Sequence, residues 1–467
     1  MASLTFLGGV SEVTGSCHLL QSEHFGKILL DCGMHQGGDD IQDARKEKFR
    51  FRAHEIDQVI LSHAHLDHSG MLPKLVSQGF KGPIHCTSAT KDLLGILLHD
   101  SYHLYVQDLE RENRRRERAG RKPLPAAYDA GDVRRAISQC VGYDYDEPVL
   151  LEGGISLRLL DAGHILGSSI VELTLPEADG GKKLVFSGDL GGIGAVLMRD
   201  PEVPPTADVV LMESTYGDRN HRDMTKTIEQ MTEILRQTWQ AGGNVLIPSF
   251  AVGRTQEILF HLGLLYREGK LDEWDVYLDS PMAIAVTELY DRWIQLLDDA
   301  DAEALALAGK PSIRTFLPTL RLTETADESM AINKRKSGVI IIAGSGMCTG
   351  GRIRHHIKHR LWRAENTIIF VGFQANGTLG RIIVDGARKV RLFHDTIAIK
   401  ARVETLGGFS AHAGQRELVS WLTAIGGDPK VFLVHGEPTS LDTLAAKLKS
   451  DCDIEATIPR HGDVFEI

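Results

Sequence analysis

The sequence of 467 residues predicts an α/β fold in which one domain is inserted into another. Short apolar strands in the first part of the chain each stop at Asp, His or Gly, and amphipathic helices separate many of them. From Val209 onward, strands and helices alternate regularly, as in the βαβ crossovers of a mostly parallel sheet. An alternating pattern returns over residues 391–405, and a last strand at 431–434 again ends at a histidine. The end of the chain is therefore predicted to rejoin the first domain.

The strand candidates define three segments of the chain. The first segment contains predicted strands at 27–30, 58–61, 157–160 and 184–186. The second contains predicted strands at 209–212, 244–247, 276–278, 339–343 and 367–371, with helices near 226–240 and 255–266. The third contains the alternating stretch and the final strand. We therefore expect an interrupted domain over 1–207 and 391–467 and an inserted domain over 208–390.

The composition excludes several classes of protein. Hydrophobic residues make up 42% and charged residues 25% of the chain, which are ordinary values for a globular protein and exclude a disordered one. No apolar run is long enough to span a membrane, and the N-terminus lacks the features of a signal peptide. Six cysteines without paired short spacing indicate neither a disulfide framework nor a thiolate zinc site. We therefore expect a cytoplasmic protein without a membrane partner.

The strongest chemical signal is the segment HAHLDH at residues 63–68, which directly follows the predicted strand 58–61. Imidazole and carboxylate groups suit zinc, and the lack of cysteine in the segment favours a hydrolytic metal site over a closed structural one. His63 and His65 can face one ion while Asp67 and His68 face another, so a two-metal centre is geometrically natural. The alternative, a polar surface turn with incidental histidines, does not explain why ligand-type residues occupy every needed position.

A two-metal site needs more ligands than one loop supplies, and further candidates lie at other strand ends. These are Asp31, His164, Asp189 and His435. Each of them alone is more often a residue of a strand-terminal turn. All four, however, lie at the carboxyl ends of predicted strands, where ligand groups cluster in α/β folds.

These ordered motifs resemble those of the metallo-β-lactamase fold, an αββα sandwich with metals at one edge of its two sheets. Three more segments resemble the additional motifs of the β-CASP nuclease branch: ESTYG at 213–217, SAHAG at 410–414 and LVHGE at 433–437. The resemblance covers essentially the whole chain and implies a metallo-β-lactamase domain interrupted by a β-CASP domain. Within the branch, the chain resembles the compact bacterial relatives of the cleavage-and-polyadenylation endonucleases more than ribonuclease J.

The resemblance implies two zinc ions per chain, one held by three histidines and the other by an aspartate and two histidines, with a second aspartate bridging them. The first ion would be held by His63, His65 and His164. The second would be held by Asp67, His68 and His435, and Asp189 would bridge the two ions. Asp31 resembles the carboxylate that orients a ligand histidine through its free ring nitrogen. Glu213 would orient His412, which faces the scissile phosphate without binding metal. Asp67, Glu213 and His412 are the candidate catalytic residues.

The resemblance also favours single-stranded RNA as the partner, because RNA-acting members carry a histidine at the position of His435, where DNA-repair members typically carry an aliphatic residue. A DNA-acting relative remains the alternative. Three glycine-rich segments that follow predicted strands of the insertion suit anion binding through backbone N–H groups and helix starts, although each could be merely a tight turn. Their candidate RNA contacts are Arg254, Ser345, Gly346, Arg352, Asn376 and Thr378. Arg254 and Arg352 are the phosphate candidates, because a planar guanidinium can hold phosphate oxygens in a bidentate pair. Surface ion pairing is the competing role for both.

The implied reaction is hydrolysis of RNA phosphodiester bonds by zinc-activated water, with 5′-phosphate and 3′-hydroxyl products. The net charge of -11 argues against polyanion binding through the overall field, but two divalent ions would add positive charge at the site. A hydrolase of small esters on the same fold is a second alternative, but it would not need the insertion. A noncatalytic scaffold would be expected to have lost ligands, and a diiron redox protein would carry glutamate in place of His65.

The resemblance implies endonucleolytic cleavage, and it leaves open a second, 5′-exonucleolytic mode. A homodimer is an expectation from the resemblance alone. The physiological RNA targets are not indicated by any motif.

Overall fold

The protein is described by a computed structural model that covers residues 1–35, 48–307, 309 and 311–467. The chain forms two compact units, one made of Met1–Asn220 with His412–Ile467 and the other of His221–Ala411. The first unit is thus interrupted by the second in sequence, and the predicted α/β fold with an insertion is confirmed. The limits 208–390 that the sequence predicts for the inserted domain remain a proposal.

The first part of the chain supplies most strands of the first unit. Its strands are β1 (Ser3–Gly8), β2 (Cys17–Ser22), β3 (Gly26–Leu30), β4 (Gln58–Ile60), β5 (Ile84–Thr87), β6 (Cys140–Tyr143), β7 (Val149–Leu150), β8 (Ser156–Asp161), β9 (Ser169–Thr174), β10 (Lys183–Phe186) and β11 (Val209–Glu213). Its helices are α1 (Leu66–Ser69), α2 (Leu72–Ser77), α3 (Ser88–Arg118) and α4 (Ala130–Ser138).

The second unit alternates helices and strands. Its strands are β12 (Val245–Pro248), β13 (Asp275–Leu278), β14 (Leu320–Leu322), β15 (Val339–Ala343), β16 (Thr367–Phe370), β17 (Lys389–Leu392), β18 (Asp395–Ala398) and β19 (Arg402–Thr405). Its helices are α5 (Met224–Gln240), α6 (Arg254–Arg267), α7 (Pro281–Arg292), α8 (Asp299–Ala306), α9 (Ile313–Phe316), α10 (Ala326–Ala331), α11 (Ile353–Arg360) and α12 (Leu379–Val384).

The end of the chain returns to the first unit and completes both of its sheets. It contains α13 (Gln415–Ala424), β20 (Lys430–Val434), α14 (Pro438–Cys452), β21 (Ala456–Thr457) and β22 (Val464–Glu466). The first sheet has the order β22-β1-β2-β3-β4-β5-β6, and the second has the order β21-β20-β11-β10-β9-β8-β7. β22 runs antiparallel to β1, whereas β20 runs parallel to β11. The sequence therefore correctly predicted that the last strand belongs with the first part of the chain.

The two faces of β11 contribute to two different core clusters, and this explains the layered sandwich. Leu211 of β11 lies in a core cluster that includes Phe6 of the first sheet, so this cluster joins the two sheets. The neighbouring Met212 points the other way, into a cluster with Leu418 of α13, because successive side chains of a strand face opposite sides. Full burial of each large apolar side chain contributes roughly 1.5–3 kcal/mol. On the first sheet, α3 packs against β5 and β6.

The second unit is built on a six-stranded sheet with the order β14-β13-β15-β12-β16-β19, and every neighbouring pair in it is parallel. Its central strand β15 is buried along its whole length, as expected for a parallel strand covered on both faces. Because β15, β12 and β16 are neighbours, the loops that follow them share one edge of the sheet. These loops contain the predicted RNA-contacting residues except Arg254, which is the first residue of α6.

Two strands join different sheets from those that the rhythm of the sequence indicated. The strand at 209–212 was grouped with the insertion, but β11 pairs with β10 and β20 in the first unit. The stretch 391–405 was grouped with the first domain, but β19 pairs with β16 in the second unit. An apolar parallel strand has the same pattern in either sheet, so only its partners decide where it belongs.

None of the helices in the described ranges combines the length and the apolar character that crossing a membrane requires.

Candidate metal centre

The predicted ligands of the first unit lie where strands of its two sheets end. Asp31 directly follows β3, the HAHLDH segment follows β4, and His435 directly follows β20. His164 and Asp189 lie in the loops after β8 and β10. Within the HAHLDH segment, α1 begins at Leu66. His65, Asp67 and His68 therefore lie within less than two helical turns. The fold therefore brings together residues from distant parts of the chain.

The first cluster contains His63, His65, His164 and Asp189, whose ligand-type atoms all lie within 4.8 Å of one another. The Nδ1 atom of His65 lies 3.1 Å from His63 Nε2 and 3.2 Å from His164 Nε2. Asp189 Oδ2 lies 3.5 Å from His63 Nε2 and 3.6 Å from His164 Nε2. Tetrahedral zinc with bonds of about 2.0–2.1 Å separates its ligand atoms by about 3.3 Å. The spacing in this cluster therefore fits one zinc ion.

The second cluster contains Asp67, His68 and His435, and their ligand-type atoms also lie within 4.8 Å of one another. Asp189 Oδ1 lies 3.3 Å from both His68 Nε2 and His435 Nδ1. His435 Nε2 lies 3.8 Å from Asp67 Oδ2. His435 adopts a left-handed backbone with φ of 49°, an uncommon conformation for a residue with a side chain, and such strain concentrates at functional sites.

Asp189 lies between the two clusters, and each of its carboxylate oxygens faces one of them. Burial by itself would raise the pKa of this carboxyl group. The surrounding histidines His435, His68 and His63 reverse that effect and hold the pKa well below its usual range. Asp189 is therefore a buried carboxylate that a pair of cations can share.

Several buried polar atoms of the clusters are unsatisfied by protein groups. Among the described residues, no hydrogen-bond partner is found for His68 Nε2, Asp189 Oδ1 or His435 Nε2. A buried polar atom without a partner is costly, so these atoms indicate a group that the protein chain does not supply. Burial, followed by the charge of His68, lowers the pKa of His63 well below its usual value. Its imidazole is therefore neutral, as a metal ligand must be.

The residues present thus fit two metal ions, and Asp31 supports the second position. Asp31 Oδ2 lies 2.6 Å from His68 Nδ1, which leaves the other ring nitrogen of His68 facing Asp189. The carboxylate also accepts hydrogen bonds from Ser62 Oγ at 2.9 Å and from Ser16 Oγ at 3.1 Å. Sequence reasoning missed these two serines, and only the position of Ser62, directly before the metal motif, could have indicated its role.

His412 lies beside the clusters and pairs with Glu213. Its Nδ1 lies 3.2 Å from Glu213 Oε1 and 3.9 Å from Asp189 Oδ2. The same Glu213 oxygen accepts a hydrogen bond from the Leu190 backbone N–H at 2.7 Å, so the buried carboxylate is fixed. Burial alone would lower the pKa of His412, but Glu213 and then Asp189 raise it to about 9. The His412 side chain is 22% exposed, more than the His63, His164 or His435 side chain.

The two predicted phosphate-binding arginines already have protein partners. Arg352 Nη1 donates to Asp279 Oδ1 at 2.7 Å, and its Nη2 donates to the Glu324 carbonyl at 2.6 Å. Arg254 Nη1 donates to Glu257 Oε2 at 2.6 Å. The structure thus shows the competing role, ion pairing, for both side chains. Phosphate binding by either arginine stays a prediction.

The other predicted RNA contacts lie in loops after β15 and β16. Ser345 Oγ accepts a hydrogen bond from the Gly350 N–H at 3.2 Å, and Gly346 is buried. Asn376 is exposed, whereas Thr378 caps α12 by accepting from the Arg381 N–H at 3.2 Å. Their contact with RNA stays a prediction. Within the described residues, neither cluster contains any of six further histidines, which are His18, His35, His103, His355, His356 and His359.

A layered α/β unit with two histidine-aspartate clusters at strand ends defines a metallo-hydrolase of the metallo-β-lactamase class. Comparison with family models agrees with this class along the chain. Residues 10–233 match the metallo-beta-lactamase superfamily, 255–383 match the Beta-Casp domain, and 396–459 match a domain described as Zn-dependent metallo-hydrolase RNA specificity domain. The chain belongs to the β-CASP family of the metallo-β-lactamase superfamily, as the motifs at 63–68, 213–217, 410–414 and 433–437 indicated.

Curated relatives match the chain over nearly its full length. A protein of Thermus thermophilus named Ribonuclease TTHA0252 is 41% identical, over 98% of this chain and 98% of that protein. A Methanothermobacter thermautotrophicus protein named Transcription termination factor FttA is 32% identical, over 100% of this chain and 72% of that protein. A Methanocaldococcus jannaschii protein named RNase J-like protein is 32% identical, over 100% of both.

One solved structure shares the fold along the whole chain. It is the crystal structure of a protein of unknown function from Enterococcus faecalis, with a TM-score of 0.57 and 14% sequence identity over 100% of both chains. At this identity the likeness concerns the fold alone.

Proposed function

We propose that this protein is a metal-dependent ribonuclease that hydrolyses phosphodiester bonds of single-stranded RNA to 5′-phosphate and 3′-hydroxyl ends. The observation that carries the proposal is the Asp189 carboxylate, whose two oxygens face two separate clusters of ligand-type residues. Paired metals of this kind act on phosphodiesters in many nucleases. The match to an RNA specificity domain and the relatives named ribonuclease support RNA as the substrate.

The proposed cofactors are two zinc ions per chain. His63, His65 and His164 would hold one ion, and Asp67, His68 and His435 would hold the other, with Asp189 shared. Bound zinc supplies Lewis-acid chemistry, because it lowers the pKa of water toward about 7 and neutralises charge on a phosphate. The imidazole and carboxylate set without cysteine favours zinc at an open, hydrolytic site.

The remaining residues of the site act on protons and on orientation. We assign His412 to the phosphate, where its protonated ring stabilises developing negative charge or donates a proton to the leaving 3′ oxygen. The 3.2 Å contact between His412 Nδ1 and Glu213 Oε1 holds the ring and favours its protonated form. Asp67 is proposed both as a metal ligand and as a catalytic residue.

The test is cleavage of labelled single-stranded RNA, single-stranded DNA and a generic ester by the zinc-loaded protein. We expect RNA to be cut and the ester to be left intact, and Asp189→Asn should lose RNA cleavage. Asp208→Asn, a change at an exposed aspartate outside the site, is the matched control and should cut RNA normally. Faster cleavage of DNA than of RNA would overturn the proposed substrate.

A circular RNA distinguishes the two modes of cleavage. Because a circle has no 5′ end, only an endonuclease can open it. We expect the circular RNA to be linearised, and comparison of linear RNAs with 5′-hydroxyl and 5′-monophosphate ends then measures any 5′-exonucleolytic activity. An intact circle beside shortened linear RNA would contradict the endonucleolytic assignment.

A further inference from the structure

Three loops of the second unit meet at the carboxyl edge of its parallel sheet, and their contacts are close. A Cβ atom added to Gly346 would lie 2.7 Å from Cδ2 of Phe250, so the Phe250 ring rests on the glycine. The Gln374 side-chain amide donates from Nε2 to the Gly346 carbonyl at 3.1 Å. The loops after β12, β15 and β16 therefore support one another.

Two phenylalanines in these loops expose their rings to solvent. Phe250 is 44% exposed and Phe373 is 56% exposed. Two other exposed aromatic residues of this unit lean on a second ring: Trp239 lies 5.3 Å from Trp274, and Phe393 is stacked at 4.5 Å on His355. The exposed Trp362 instead has the Arg363 guanidinium 5.1 Å from its ring centre. Within the described residues, no such aromatic partner is found for Phe250 or Phe373. Both phenylalanines thus leave part of their apolar surface exposed to solvent.

The backbone at both phenylalanines is nevertheless held in place. The Phe250 carbonyl accepts a hydrogen bond from the buried Thr255 hydroxyl at 2.6 Å. The Phe373 carbonyl accepts from Gln374 Nε2 at 3.1 Å, and this side chain is 6% exposed. Rings on fixed backbone can be recognised at a small entropic cost, which is the property of a preorganised binding surface.

We propose that Phe250 and Phe373 are stacking platforms for unpaired bases of the RNA substrate. This inference rests on the proposed function, and it adds substrate-contacting residues that hold bases rather than phosphates. Unpaired bases stack on aromatic side chains whatever their sequence, since every base has a π face. Phe373 stands in the segment GFQANGT at 372–378, which is rich in glycine and polar residues. A protein partner would instead be expected to use a contiguous apolar patch.

The experiment measures the dissociation constant of single-stranded RNA for the His412→Ala protein, so that the RNA stays intact. In that background, Phe250→Ala and Phe373→Ala should each weaken binding about fivefold to a hundredfold, the usual worth of one stacked base. The dependence of affinity on salt should keep its slope, because no phosphate contact is lost. Phe250→Trp and Phe373→Trp should bind RNA at least as tightly as the parent.

An RNA of the same length with abasic positions separates stacking from structural damage. On this RNA, the alanine variants should bind as the parent protein does. Phe393→Ala, an exposed ring of the same unit that is stacked on His355, is the matched control and should leave both affinities unchanged. Thermal unfolding of each variant checks that it is folded, and Phe250→Leu and Phe373→Leu provide variants of similar volume without a π face.

The outcomes are distinct. Equal losses on intact and abasic RNA, a changed salt slope, or unchanged affinity of the alanine variants would overturn the stacking platforms while leaving the ribonuclease proposal intact. The last of these results is also the one expected if the rings serve a protein partner. If the wild-type protein neither binds nor cuts RNA, the proposed function itself fails, and the platforms fail with it.

Discussion

The Nδ1 atom of His68 lies 2.6 Å from Asp31 Oδ2, and this contact leaves the Nε2 atom of His68 facing Asp189. A carboxylate behind a histidine fixes the ring orientation and the tautomer and makes the other nitrogen a better ligand. Asp31 itself is held by Ser62 and Ser16. At the scale of single residues, the site therefore depends on side chains that touch no ion themselves.

We predict that Asp31→Asn weakens metal binding about 10–100-fold, the usual effect of losing such a support. The amide can no longer act as an anionic acceptor for His68 Nδ1. Zinc affinity measured by competition with a chromogenic chelator checks this expectation. Asp208→Asn is the control, because that exposed carboxylate accepts only from the Lys183 backbone within the described contacts. Wild-type affinity in Asp31→Asn would show that the contact does not support a metal ligand.

His412 and Glu213 allow metal binding and chemistry to be separated. His412→Ala should keep the zinc content and the fold but slow RNA cleavage by roughly 10² to 10⁴, the usual worth of general acid-base help. Glu213→Gln should show a smaller loss of the same kind. Bound zinc and single-turnover cleavage are measured on the same preparation. A fall in zinc content together with activity would instead make His412 a ligand, and a wild-type rate would make it a packed turn residue.

At the scale of elements, a buried carboxylate holds the end of β13 to its neighbours. Asp279 is fully buried and accepts hydrogen bonds from Ser329 Oγ at 2.6 Å, His356 Nε2 at 2.6 Å and Arg352 Nη1 at 2.7 Å. Burial opposes its ionisation, but these donors hold its pKa below the ordinary value. The guanidinium that sequence reasoning assigned to phosphate thus completes a structural network within the second unit.

Asp279→Asn should lower the free energy of unfolding by about 3 kcal/mol at neutral pH, because it removes the buried charge that the partly buried Arg352 guanidinium and the buried His356 ring share. Asp275→Asn, four residues earlier at the start of the same strand, is the control. Asp275 forms more exposed pairs with Arg321 and Arg335, and its loss should cost less than about 1 kcal/mol. Urea unfolding of both variants measures the two losses. Equal destabilisation would contradict a larger structural contribution of Asp279 than of Asp275.

His85 of β5 makes the free energy of unfolding depend on pH. Its ring contacts the Tyr143 hydroxyl at 2.9 Å and Gln58 Oε1 at 3.0 Å, and burial lowers its pKa from 6.5 to about 4. The unfolded chain therefore binds a proton at higher pH than the folded one, so this contribution to stability is lost as the pH falls from 6.5 toward 4. His85→Gln should flatten the decrease in unfolding free energy over that range. Identical pH profiles of the two proteins would refute the assignment.

At the scale of the whole molecule, the candidate ligands extend from His63 to His435 and so join the two separated parts of the first unit. A metal that binds only the folded site stabilises the fold by mass action. Chelation should therefore lower the thermal unfolding midpoint and abolish cleavage, and both should return on addition of zinc. Elemental analysis should find about two zinc ions per chain. One ion or none in the active protein would contradict the two-metal site.

The sequence by itself determined the α/β class, the insertion and the family, because strand ends, the HAHLDH segment and the later motifs are local patterns that can be recognised one at a time. It also named the residues that the structure brings into two clusters. Ligand-type residues at the ends of strands can be recognised from the sequence, because a short apolar strand comes before each of them.

The tertiary structure alone decided which partners each group has. The apolar strand at 209–212 reads alike in either sheet, and its place in the first unit follows from its pairing with β10 and β20. The partners of Arg352 and the serines behind Asp31 lie far away in the chain, and the exposure of Phe250 and Phe373 likewise depends on how distant segments pack. Such contacts leave no periodic signal in the sequence, because they arise only when distant segments meet in the fold.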